Sequence, residues 1–80
     1  FPRMEMLYVK RGIAKFYLED FKGSIEDHSK AIAINPENAD AYLQRGFSEL
    51  SLKDIDAELL RVQTFQGNLK RRKEKIEKLN

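Results

Sequence analysis

The 80-residue chain contains no cysteine. Disulfide staples and thiolate metal sites are thereby excluded, and the composition fits a reducing compartment such as the cytoplasm. Apolar runs stop at three or four residues, far short of the roughly 20 that a bilayer-spanning helix needs. Histidine occurs once, as His28, and one imidazole makes no metal site without convergent partners. There is neither a glycine-rich phosphate loop nor a strand-turn-helix context for a nucleophile. The acids Glu26 with Asp27 and Asp54 with Asp56 read as solvated groups or helix starts. No catalytic residue, metal ligand or cofactor is therefore expected. The chain begins with Phe1 and shows no cationic, long-apolar leader, which reads as excision from a longer protein.

What the chain does have is an internal repeat. Tyr8, Arg11 and Gly12 reappear as Tyr42, Arg45 and Gly46, and Asp20 as Asp54, each displaced by 34 positions. A period of this length corresponds to one helix, a turn, a second antiparallel helix and a linker. Met6, Val9, Ile13, Phe16 and Tyr17 recur at three- and four-residue steps and predict a helix over about residues 3–18. Asp20 is placed to cap a second helix, with Phe21, Ser24, Ile25, His28, Ala31 and Ile32 on its buried side. That helix stops near Ile34, because Asn35 precedes Pro36. Asn38 can cap a third helix through about Leu50, and Asp54 a fourth.

The last helix is the odd one. Ile55, Val62, Leu69 and Ile76 stand at strict seven-residue intervals beside Leu59 and Phe65, which predicts one long helix to about residue 79. Its acids lie at the amino end and its cations at the carboxyl end, in the order that the helix dipole favours, and Glu74 with Lys78 adds a four-residue pair. Gly67 costs a helix interior about 1 kcal/mol relative to alanine, so a break there is the alternative. Residues 1–69 carry nine Lys and Arg against eleven Asp and Glu, whereas residues 70–80 carry six against two, so a slightly acidic body ends in a basic tail.

The unit over about residues 5–38 resembles a tetratricopeptide repeat (TPR) through Tyr8, Gly12, Ala31 and Pro36, and the unit over about 39–72 through Tyr42, Arg45, Gly46 and Asp54. The second unit departs at Glu58 and Phe65, where the family has small residues, and at Lys70, where it closes with proline. The resemblance implies an all-α fold: antiparallel helical hairpins of a right-handed superhelix, two repeats followed by a basic helical extension over about 70–80. Such a chain is expected to form a single domain.

The resemblance also implies a non-catalytic scaffold that binds another protein in the concave surface lined by first helices. The groove expected here comprises Met6, Val9, Lys10, Ile13 and Tyr17 with Asp40, Leu43, Gln44 and Phe47, suited to an extended or helical segment with apolar anchors. Relatives that clamp a terminal carboxylate place lysine and asparagine where this chain has Val9 and Ile13. Two repeats leave an unfinished apolar edge. Val62, Phe65, Leu69 and Ile76 then form a second candidate surface, for capping by a further repeat or for a homodimer. His28 reads as a packed structural histidine. The run Lys70, Arg71, Arg72 and Lys73 has no interleaved aromatic residue and reads as a solvated helix end rather than a nucleic-acid or membrane site.

Overall fold

The computed structural model describes residues 2–79, as three helices in chain order: α1 (Pro2–Tyr17), α2 (Phe21–Ile34) and α3 (Ala39–Lys78). The all-α architecture and the helical hairpin of α1 and α2 are what the resemblance implied. Each junction has a local cause. At the end of α1, the Glu19 amide donates to the Phe16 carbonyl and the Asp20 amide to the Lys15 carbonyl, both at 2.9 Å. This Schellman closure places Glu19 in the left-handed region at φ 63°, without the glycine that normally occupies it. Phe16 and Phe21 meet edge-on across the turn, with ring centroids 5.3 Å apart.

Asp20 then caps α2 by accepting from the Gly23 amide at 3.0 Å, as expected from the sequence. The α2 to α3 link is an asparagine device. Asn35 accepts from the Glu37 amide, and Asn38 caps α3 by accepting from the Ala41 amide at 2.9 Å. The amide nitrogens of both asparagines donate to one carboxylate oxygen of Glu5, at 3.0 and 2.6 Å, which ties α1 to the linker.

Small residues let the three helices approach. Ala31 and Ala41 are fully buried against Val9, with Tyr8, Ile13 and Ile32 packed around them. Between α2 and α3 the hydroxyls of Ser24 and Ser48 hydrogen bond at 2.8 Å, out of reach of solvent. Ser48→Ala alone strands the Ser24 hydroxyl and is expected to cost roughly 1–3 kcal/mol, whereas Ser24→Ala with Ser48→Ala removes both partners and is expected to cost much less. Urea denaturation of the two variants checks this, and equal losses would show that the pair is not a closed buried bond.

The separate third and fourth helices expected from the sequence are one continuous α3 of 40 residues, which passes through Asp54 without a turn and through Gly67 without a break. Leu52, Lys53 and Asp54 repeat the turn of Leu18, Glu19 and Asp20 at the 34-residue offset, yet the chain does not fold back. The reason lies downstream. Ser24 and Ala31, whose small side chains allow α2 to approach, correspond to Glu58 and Phe65. A helix folded back on α3 would bury a carboxylate and force a bulky ring into the contact. With no packing to offset a left-handed residue at Lys53, the regular helical hydrogen bonds prevail. The molecule is accordingly drawn out to 71 Å along its long axis, against 18 and 15 Å across. Beyond Leu52 no described residue of α3 is buried. The ion pair on its last turns is Lys73 with Glu77 at 3.9 Å, rather than Glu74 with Lys78.

Candidate interaction surface

Met6, Val9 and Asp40 are brought together at a cleft between the start of α1 and the start of α3, whose remaining walls are Glu5 and Asn38. Val9 is largely buried in the core as well as lining this cleft. The other α1 positions of the expected groove share the side of Met6 and Val9: Lys10 is exposed, Ile13 packs on the core, and Tyr17 stands free at the far end. On α3, Leu43, Gln44 and Phe47 follow Asp40 by three, four and seven residues and so lie on its side of the helix. Leu43 and Phe47 are about half exposed, and Gln44 is half-buried.

The repeat makes the exposure of these α3 residues informative. In the first hairpin, a β-carbon built on Gly12 would lie 2.7 Å from His28 Cε1 and Nε2, so α2 covers that face of α1. A β-carbon built on Gly46, the repeat partner of Gly12, would meet no other element within 4 Å. Leu43 and Phe47 are the repeat partners of Val9 and Ile13, which pack in the core. The same helix face is thus covered in α1 and bare in α3, where Tyr42, Leu43, Phe47 and Leu50 all stand exposed.

The recurring Tyr-x-x-Arg spacing also acquires a structural meaning. Arg11 lies over the Tyr8 ring at 5.5 Å and Arg45 over the Tyr42 ring at 5.3 Å, because residues three apart are neighbours on a helix. Arg11 additionally makes a bidentate contact with Asp27, at 2.8 Å from Nε and 2.7 Å from Nη2, and Lys15 adds a third contact at 3.1 Å. Asp27 is therefore no solvated acid, as the sequence suggested, but a carboxylate 1% exposed. The Arg11 hydrogen bonds, helped by Lys15, hold its pKa down to about 2 against the opposing effect of burial. The signal that could have found it is the pair Arg11 and Lys15, four residues apart and so on one side of α1. Glu5 was likewise not singled out in the sequence, although the two asparagines it gathers flank Pro36.

His28 is fully buried, and neither ring nitrogen has a hydrogen-bond partner. Burial pushes its pKa down, Asp27 and Asp40 oppose this, and Arg45 adds to it, so the ring packs as a neutral aromatic against Gly12. Among the described residues no three His, Cys, Asp or Glu side chains come together to hold a metal ion.

The second candidate set, Val62, Phe65, Leu69 and Ile76, lies along the overhanging part of α3, and all four side chains are exposed. No helix among the described residues is long and apolar enough to cross a membrane. Comparison with protein families finds that the TPR repeat model matches residues 12–50, from the middle of α1 into α3. Searches of curated proteins and of solved structures returned no significant match.

Proposed function

Because residues 12–50 carry a TPR repeat, a motif that generally serves protein–protein interaction, we propose that this chain is a non-catalytic scaffold that takes a helical or extended partner segment onto α1 and α3. The observation that carries this reading is the bare face of α3 around Gly46, whose repeat partner in α1 is covered by a helix. A partner helix laid there finds Leu43 and Phe47 as apolar anchors, with Met6, Val9 and Asp40 at one end and Lys10, Ile13, Gln44 and Tyr17 along the same sides. The cysteine-free composition fits a cytoplasmic setting.

Selection of binders from a library of helical peptides tests the proposal. Leu43→Glu is expected to weaken the selected peptides by about tenfold or more, as removal of a central apolar anchor does, and Val62→Glu to leave them unchanged. Binders that ignore Leu43→Glu and respond to Val62→Glu would move the partner site to the other end of α3.

A second reading is favoured by the overhang of α3. Its apolar stripe has no intramolecular cover, so Val62, Phe65, Leu69 and Ile76 form a surface for self-association.

A further inference from the structure

We propose that two copies of this chain pair through residues 52–76 of α3 in antiparallel orientation, centred near Thr64. The proposal rests on the self-association reading and specifies its geometry. Three observations support it.

The first is the periodicity of an exposed, continuous helix. Ile55, Val62, Leu69 and Ile76 repeat every seven residues, and Leu52 and Leu59 precede Ile55 and Val62 by three. These are the two alternating positions of a coiled-coil seam, and the strict spacing of seven favours a left-handed supercoil. Ile55, Leu59, Val62, Leu69 and Ile76 are all roughly half or more exposed, so the seam is unfilled within one chain.

The second is charge. Residues 54–60 hold Asp54, Asp56 and Glu58 and no cation, whereas residues 70–78 hold six cations and two acids. A parallel pair would set the basic halves against each other. An antiparallel pair sets acidic against basic, and charges beside the seam are what fix orientation.

The third is register. In an antiparallel pair the positions flanking the seam meet their own kind across it. The alignment that places Leu59 opposite Leu69 of the second copy also brings Glu58 beside its Arg72 and Asp56 beside its Lys70. Val62 meets Gln66, and the two Phe65 rings come close to the dyad. A shift of one heptad would place Asp56 beside Glu77 and lose both opposite-charge pairs. The arrangement carries the two hairpins to opposite ends of a rod, so each dimer presents two separate partner surfaces, and a divalent partner gains avidity without any new contact.

Light scattering at two concentrations gives the mass, and the absence of native cysteine makes cross-linking a clean test of orientation. The expected mass is twice the 9.4 kDa chain. A mixture of Leu59→Cys and Leu69→Cys chains is expected to form a disulfide-linked pair under mild oxidation, while neither variant links to itself, since like positions lie about 15 Å apart along the axis. Glu58→Arg should weaken the dimer about tenfold, and Glu58→Arg with Arg72→Glu should restore it. Self-linking of Leu59→Cys or Leu69→Cys would overturn the antiparallel arrangement while leaving self-association standing. A monomeric mass at both concentrations would overturn both and assign the stripe to a different protein.

Discussion

Gly12→Leu is expected to destabilise the hairpin by at least about 1–3 kcal/mol, and Gly46→Ala to stabilise the chain by up to about 1 kcal/mol. The two glycines hold the same place in the repeat, and both lie within helices, where alanine is intrinsically the better residue. Their surroundings decide the sign. A β-carbon at position 12 would stand 2.7 Å from two ring atoms of His28 and 3.0 Å from a third. His28 is wholly buried, and in a close-packed interior its ring can move only by displacing its neighbours. Even Gly12→Ala is therefore expected to lose more from displacing the ring than it gains in helix propensity. At position 46 no such neighbour exists, so the propensity gain is retained. Thermal denaturation at one fixed protein concentration reads the difference, at roughly 4–8 °C per kcal/mol for a domain of this size. An unchanged midpoint for Gly12→Leu would remove Gly12 from the α1–α2 contact. A destabilised Gly46→Ala would show that something already covers that face in solution.

Arg11→Ala together with Lys15→Ala is expected to cost about 3–5 kcal/mol at neutral pH. Both cations have exposed portions and could be resolvated alone, but the Asp27 carboxylate they hold is shut away from water and would keep its charge without a partner. The signs of the pH dependence follow from the two buried titratable groups. The folded pKa of Asp27, about 2, lies below its unfolded value, so its contribution of roughly 2 kcal/mol is present above the unfolded pKa and is lost as pH falls through 3.8 towards 2. The folded pKa of His28 is also depressed, here because burial disfavours the imidazolium. Between 6.5 and that lower folded value, the unfolded chain binds a proton that the native state refuses, so stability falls as pH drops below about 6.5. Wild type should thus lose stability in two acid stages. In the Arg11→Ala, Lys15→Ala variant the unpaired carboxylate is instead easier to protonate in the folded state, so the deficit relative to wild type should shrink with acidification. Urea midpoints from pH 8 to pH 3 follow both effects, and a deficit independent of pH would show that the cations act by packing rather than by charge.

Much of the hairpin was legible from local chemistry. Asp20 and Asn38 cap the helices expected of them, and Pro36 ends α2 where the missing amide requires. Three features were harder to read. Asp27 sits beside Glu26 on a polar stretch, and only the approach of α1 reveals which of the two faces Arg11. Glu5 lies 30 and 33 positions before the asparagines it binds, a separation at which spacing carries no contact information. The turn at Glu19 uses a left-handed residue with no glycine to announce it.

The largest divergence is the fate of the second unit. The 34-residue period, the helical periodicity and the cap at Asn38 determined that this is an all-α chain whose first unit closes as a hairpin. They also placed Tyr42, Arg45 and Gly46 on a helix equivalent to α1. Whether the second unit closes was decided by tertiary packing. Ser24 and Ala31 can be buried between helices, but Glu58 and Phe65 in their places cannot, so no contact offsets the cost of a turn at Lys53 and α3 runs straight. That difference in side-chain volume and charge leaves the face around Gly46 and the stripe beyond Ile55 uncovered by the chain's own helices.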